Sequence, residues 1–176
     1  TPEKEWIELD VLVENLGRVN YGFKLNGPTQ VKGIRGGIMQ DIHFHQGYRQ
    51  YALTLSADQL KKIDYTAGKN PAQPSFYQAE FTLTELADTF IDCRSYGKGV
   101  VIVNGINLGR YWQRGPIHSL YCPKEFLKKG TNEIVIFETE GIEINELIFC
   151  GHPIVKKLLT NDFSEIGSNI HNHIDS

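Results

Sequence analysis

The amino-acid sequence predicts an all-β protein with the architecture of a β-sandwich or jelly roll. Short segments with apolar residues at alternate positions recur at intervals of about 8 to 12 residues, with turn residues between them, which is typical of sandwiches. The dipeptide Asn104-Gly105 lies between two apolar segments. Asn-Gly in that setting is the strongest short-range signal of a β-hairpin, so we place a hairpin at the centre of the fold.

The first third of the chain carries weaker strand signals. Residues 6–14 alternate between apolar and polar side chains, which predicts a half-buried strand. Residues 15–22 contain two Gly and two Asn and indicate a loop. Residues 31–38 hold three Gly among Ile and Val, which predicts an irregular or bulged strand. Two further strands are predicted at 41–45 and 48–55.

One short helix is predicted directly after these strands. Ser56 and Gln59 have the spacing of a capping box, and Leu60 and Ile63 follow at helical spacing. Residues 64–75 then contain two Pro, one Gly and one Asn, so they form the longest predicted loop and the best internal boundary.

The second half of the chain carries the clearest strands. The central hairpin pairs residues 100–103 with a return strand that begins at 106–108. Residues 123–129 indicate a helical turn that ends at Gly130, where a left-handed conformation is expected. The remaining predicted strands are 76–83, 89–94, 117–122, 133–139 and 146–150.

Composition excludes several classes of protein. The chain has 176 residues and a net charge of −3 without a basic cluster, so we expect no nucleic-acid partner. No apolar run approaches the length of a membrane span, and we expect no membrane partner. Its first residues, TPEKEW, lack the order of a signal peptide, and the chain looks like an excised fragment.

Cysteine and histidine usage indicates neither a disulfide framework nor a metal site. Cys93, Cys122 and Cys150 are odd in number and lack C-x-x-C spacing, so we expect buried free thiols and a cytoplasmic location. His43 and His45 share one face of a strand, but two ligands are too few for a closed site. We therefore expect no metal and no cofactor.

Two motifs carry a family resemblance. Residues 11–22 read VLVENLGRVNYG, and residues 103–138 read VNGINLGRYWQRGPIHSLYCPKEFLKKGTNEIVIFE. Together they resemble the C-terminal region of family 35 glycoside hydrolases, the β-galactosidases, and the resemblance covers roughly residues 9 to 155. In that family a catalytic TIM barrel precedes all-β domains, of which the last is a galactose-binding-like jelly roll.

The resemblance implies a division of the chain. Residues 1–38 are the closing strands of a preceding β-domain or the N-terminal part of the same sandwich, residues 39–158 the galactose-binding-like jelly roll, and residues 159–176 a C-terminal tail. A barrel needs about 250 residues, and repeated βα units are absent from this sequence. The catalytic glutamates of the family are therefore missing, and Glu133 and Glu138 are interpreted as residues of a solvated strand.

The loop at 15–22 is the first candidate site. In family members the tyrosine of this motif projects towards the galactose pocket of the barrel, so the resemblance implies that Tyr21 lines a neighbouring domain's active site. Arg18 and Asn20 would shape the loop or bridge to the barrel. The structural alternative is that these polar side chains only satisfy loop backbone groups.

Arg110, Tyr111 and Trp112 form the second candidate site. Aromatic faces stack on the C–H face of galactose while a cation or amide binds its hydroxyls. The alternative is a cation–π plug between sheets.

Two hypotheses for function follow. The first is a non-catalytic β-domain that packs on the catalytic TIM barrel of the same parent chain, completes its sugar pocket and contributes to homo-oligomer contacts. The second is an autonomous carbohydrate-binding module for galactosides. An independent enzyme is the weakest hypothesis, because the catalytic carboxylates are absent.

Overall fold

The structure is a computed structural model that describes residues 8–66, 68 and 72–156. The chain divides into two compact units, residues 1–53 and 54–176. This division lies later in the chain than the boundary that the sequence predicted between residues 38 and 39. Trp6 and Ile7 of the first predicted strand, and the predicted tail at 159–176, lie outside the described residues.

The first unit contains little regular structure. In its described part, residues 8–53, the strands β1 (Met39–Gln40) and β2 (His43–Phe44) pair antiparallel over two residues each. A 3-10 helix spans Pro28–Gln30, and an isolated bridge joins Arg18 to Val31. Of the strand predicted at residues 41–45, His43 and Phe44 form β2.

Three strand predictions among the first 55 residues are wrong over the residues that the structure describes. Residues 8–14 and 48–55 form no strand, and residues 31–38 form none beyond the isolated bridge at Val31. On one side of the first segment, Leu9, Val11 and Val13 are all at least 43% exposed. Alternation forms a stable strand only where its apolar face is buried and its backbone has a neighbour to pair with, and here that face remains exposed.

The second unit is an antiparallel β-sandwich, which confirms the predicted fold class. A four-stranded sheet has the order β3-β8-β5-β6, and a three-stranded sheet has the order β7-β4-β9. All their pairings are antiparallel. The strands are β3 (Ser75–Leu83), β4 (Thr89–Asp92), β5 (Lys98–Val103), β6 (Ile106–Trp112), β7 (Ser119–Cys122), β8 (Gly130–Glu138) and β9 (Phe149–Cys150).

The core lies between the two sheets, and the larger sheet is also covered on its outer face. Val101 and Val103 of β5 belong to the main core, whereas Ile102 packs with Leu60 and Val135 in a second cluster. Both faces of β5 and β8 are therefore buried. This explains why their sequences are continuous apolar runs rather than alternating ones.

The central hairpin forms as predicted. Asn104 has φ 50° and Gly105 has φ 81°, the two positive values that a type I′ turn requires. Strands β5 and β6 pair along the hairpin with a register shift between Val101 and Ile102. The turn thus fixes which β6 side chains face the core.

The predicted helix is also present. Helix α1 (Ala57–Leu60) begins after Ser56, whose hydroxyl accepts a hydrogen bond from the Gln59 backbone at 3.4 Å. The Gln59 side chain in turn accepts from the Leu55 backbone. In the part of the chain that the structure describes, no helix has the length and apolar character needed to cross a membrane.

Candidate functional site

The Arg18 side chain holds the first candidate loop together. Its Nη1 atom donates to the carbonyl of Gly27 at 3.1 Å and to that of Leu25 at 3.5 Å. The backbone N–H of Val19 donates to the carbonyl of Gln30 at 3.1 Å. The loop between these residues is therefore closed at its base by side-chain and backbone bonds.

Tyr21 projects from this loop. Its side chain is 91% exposed, and Asn20 is also exposed. Arg18 therefore bonds to backbone carbonyls within the loop, whereas the Tyr21 side chain is almost fully exposed. All three residues lie in this one loop, and Asn20 and Tyr21 are exposed there.

The second candidate constellation is split by the strand that carries it. Tyr111 is buried, with its ring against Tyr96 in an edge-on contact at 5.5 Å between centroids. Its hydroxyl donates to the carbonyl of Phe137 at 3.3 Å. Burial raises the pKa of Tyr111, with a further contribution from Glu138. Tyr111 therefore belongs to the core.

Arg110 and Trp112 lie on the opposite side of β6 from Tyr111, because successive side chains of a strand alternate. Both are exposed, Trp112 by 40%. Two cations approach the Trp112 ring, Lys98 Nζ at 5.2 Å and Arg114 Cζ at 5.3 Å from its centroid. Lys98 and Arg114 thus lie over the ring of Trp112, and no sequence motif marked either residue.

Glu138 is a buried carboxylate, so its interpretation as a solvated residue is wrong. Its side chain is fully buried and accepts hydrogen bonds from the backbones of Lys98 (3.0 Å), Glu140 (3.2 Å) and Ile142 (2.7 Å). Glu133, on the same strand, is exposed as expected. The alternation of a strand does not show that backbone N–H groups near its end need a carboxylate as acceptor. No sequence signal therefore marked Glu138.

A groove of about 160 Å³ lies on the inner face of the larger sheet, beside edge strand β3. Its surface is mostly apolar, and the predicted site residues do not line it. The lining residues are Tyr77, Gln78, Ala79, Ile134, Ile136, Ile144, Asn145, Glu146 and Leu147. The polar side chains among them are few, so the groove offers little to bind several sugar hydroxyls at once.

His43 and His45 lie on β2 and beside it. His45 Nε2 is 3.1 Å from Gln40 Oε1. Among the described residues, no group of three or more His, Cys, Asp or Glu side chains is placed to hold a metal ion.

Comparison with protein families connects the two units to one kind of protein. A family model described as "Beta-galactosidase, first all-beta domain" matches residues 2–63, and a model described as "Beta-galactosidase, galactose-binding domain" matches residues 74–132. The first match contains the Tyr21 loop, and the second contains Trp112.

Curated relatives agree with these matches. Beta-galactosidase 1 of Dictyostelium discoideum is 38% identical over 82% of this chain and 22% of its own length. Beta-galactosidase 17 of Arabidopsis thaliana is 36% identical over 76% of this chain and 21% of its own length. Beta-galactosidase-1-like protein 2 of Homo sapiens is 34% identical over 74% of this chain and 21% of its own length.

The chain belongs to family 35 of the glycoside hydrolases, the β-galactosidases. It spans about a fifth of the length of these curated β-galactosidases. The two family-model matches end at residue 63 and begin at residue 74, so residues 64–73 lie between them. That interval lies within the loop that the sequence marked as the best internal boundary.

Proposed function

We propose that this chain is a non-catalytic accessory β-region of a β-galactosidase. It docks on the catalytic barrel of the same protein and helps to shape the sugar pocket there, so that the whole protein hydrolyses terminal β-galactosides. The observation that carries this proposal is the 91% exposure of Tyr21 on a loop whose base is closed by hydrogen bonds.

The chemistry of the site agrees with an accessory role. Glycoside hydrolysis in this type of enzyme needs two carboxylates on either side of the scissile bond. Glu138, the fully buried carboxylate of the sandwich, is occupied by three backbone donors. Tyr21 instead offers a ring for the apolar face of a sugar and a hydroxyl that can donate or accept a hydrogen bond. It fits substrate positioning rather than proton transfer between carboxylates.

Tyr21→Phe in the full-length enzyme tests this role. Loss of one hydroxyl contact to the substrate predicts a fall in kcat/KM of about tenfold. Tyr51→Phe is the matched control, because Tyr51 is also highly exposed, at 75%, in the same unit. Equal kinetics for the two variants would contradict a pocket role for Tyr21.

An autonomous carbohydrate-binding module is the second candidate function, and the exposed Trp112 ring favours it. Stacking of galactose on this ring, with Arg110 binding hydroxyls, requires Trp112 to be available beside Lys98 and Arg114. Titration of the 176-residue chain with galactose and lactose, followed by calorimetry and NMR, tests it. Saturable binding with shifts at Trp112 supports the module, and no binding at high millimolar sugar rules it out.

The location and assembly of the protein are further parts of the proposal. We infer a cytoplasmic location, because Cys93, Cys122 and Cys150 are all free thiols and disulfides are rare in reducing compartments. Recovery of the activity from a secreted fraction would overturn it. The proposal also includes a homo-oligomer of the full-length protein. Sedimentation of that protein distinguishes a homo-oligomer from a monomer.

A further inference from the structure

The segment between Glu14 and Asp41 has an unusual charge pattern. It holds four cationic residues and no Asp or Glu, although the whole chain has a net charge of −3. The four residues are Arg18, Lys24, Lys32 and Arg35. This basic segment, residues 15–40, contains the loop that presents Tyr21.

Phe23 is more exposed than Tyr21, at 97% compared with 91%. Two aromatic side chains, two residues apart, are thus both almost fully in water. Phe has no polar group that benefits from this exposure, and a fully buried Phe is favoured by about 2 kcal/mol over an exposed one. Exposed aromatic residues of this kind are typical of interaction sites.

The turn that carries Phe23 is ordered by specific bonds. The backbone N–H of Gly27 donates to the carbonyl of Lys24 at 2.7 Å, and Lys24 has φ 61°. Arg18 and Arg35 donate to backbone carbonyls of Gly27 and Pro28 at 3.1 Å. Two of the four cations therefore hold the segment in shape.

The other two cations are differently placed. Lys24 and Lys32 are exposed on the surface of the same segment. Lys24 directly follows Phe23 in the sequence. An exposed aromatic beside exposed cations is complementary to an apolar pocket that has carboxylates at its rim.

We propose that Phe23 is the apolar anchor of a docking surface, and that the basic segment orients it on an acid-rimmed pocket in another part of the same protein. This inference rests on the proposed function, in which the chain is one region of a larger β-galactosidase. The chain spans 22% of the Dictyostelium relative, so about four-fifths of a protein of that length lies outside it. That remainder is large enough to provide the pocket.

The anchor has a role distinct from that of Tyr21. Tyr21 carries a hydroxyl suited to a sugar, whereas Phe23 offers only apolar surface. Burial of Phe23 therefore contributes to docking, and docking sets the position of Tyr21. Lys24 and Lys32 face the carboxylates at the rim of the pocket and fix the orientation in which Phe23 enters it.

Photocrosslinking in the full-length protein tests the anchor directly. Replacement of Phe23 by p-benzoylphenylalanine keeps an aromatic side chain and forms a covalent bond to neighbouring C–H groups on irradiation. We expect an intramolecular cross-link to a peptide outside this chain that contains Asp or Glu. Position 42 is the control, because Ile42 is 84% exposed in the same unit but lies outside the basic segment.

The other outcomes overturn the proposal. A cross-link from position 23 to a second copy of the protein identifies an oligomer contact instead. Cross-links that remain within this chain, or a yield equal to that of position 42, show that Phe23 does not anchor a docked surface.

Charge reversal provides the second measurement. Lys24→Glu should lower the yield of the cross-link from position 23 at least threefold, and Lys129→Glu, at an exposed site of the second unit, should leave it unchanged. Equal yields would remove the electrostatic part of the proposal.

The kinetics of Tyr21→Phe separate this inference from the proposed function. A cross-link to the rest of the protein with normal kcat/KM for Tyr21→Phe retains the anchor and removes the pocket role. Impaired kinetics of Tyr21→Phe without that cross-link retain the pocket role of Tyr21 and remove the anchor role of Phe23.

Discussion

Asn104 and Asn132 join the central hairpin to the start of β8: Asn104 Nδ2 donates to Asn132 Oδ1 at 2.9 Å. Asn104 Oδ1 accepts from the Glu133 backbone at 3.0 Å. The Asn132 amide also bonds to the backbone of the turn at Lys128 and Gly130. The residue that makes the type I′ turn thus also fixes a neighbouring turn.

Asn132→Ala is expected to destabilise the sandwich by about 3 kcal/mol, because Asn132 is fully buried and several polar partners would lose their bonds. Chemical denaturation of the chain, followed by circular dichroism, measures this change. Asn145→Ala, at an exposed position, is the control and should change stability by less than about 0.5 kcal/mol. Similar effects of the two variants would show that the network contributes little.

Glu138→Gln is expected to destabilise the chain by about 2 kcal/mol. The amide nitrogen of Gln cannot accept a hydrogen bond, so at least one of the three backbone donors at this site loses its partner. The control is Glu133→Gln, on the same strand but exposed. If Glu138→Gln unfolds at the same denaturant concentration as Glu133→Gln, the carboxylate does not hold this turn.

The second unit could be predicted from the sequence because its signals are local and agree with its packing. Asn104-Gly105 specifies the hairpin turn, Ser56 caps α1, and Gly130 has the positive φ expected of it. The strands predicted at residues 8–14 and 48–55, by contrast, do not form. Their alternation is a real sequence pattern, but pairing depends on a neighbouring surface that the pattern itself does not specify.

The candidate sites were predictable only in part. The sequence places Arg110, Tyr111 and Trp112 together, yet alternation along β6 separates Tyr111 from the other two. Lys98 reaches Trp112 through the pairing of β5 with β6, where these two residues are in register. A long-range partner of this kind has no signal in the local sequence.

Asp92→Asn is expected to destabilise the chain at neutral pH and to have less effect in acid. Asp92 is 5% exposed and accepts both Nε and Nη2 bonds from Arg94, which hold the pKa of its carboxyl below the usual value. A depressed pKa contributes stability above the unfolded-state pKa, and this contribution is lost as the pH falls through the folded-state pKa.

Denaturation of Asp92→Asn and of the unchanged chain from pH 7 down to about pH 2.5 tests this linkage. The difference in stability between the two should be constant above about pH 5.5 and shrink below about pH 4. Glu85→Gln, an exposed carboxyl, is the control and should show little difference at neutral pH. A difference for Asp92→Asn that does not change with pH would exclude the ion pair as its source.

The three thiols should react with a disulfide reagent at very different rates. Cys93 and Cys122 are buried, and burial raises the pKa of both, that of Cys93 to about 12. The thiolate is the reactive form of cysteine, and the raised pKa keeps the Cys93 thiol protonated at pH 8. Cys150 is only partly buried. We therefore expect one thiol to react in the folded chain and two more after denaturation, with Cys150→Ser removing the first reaction. A fast thiol that persists in Cys150→Ser would show that the sandwich opens at Cys93 or Cys122.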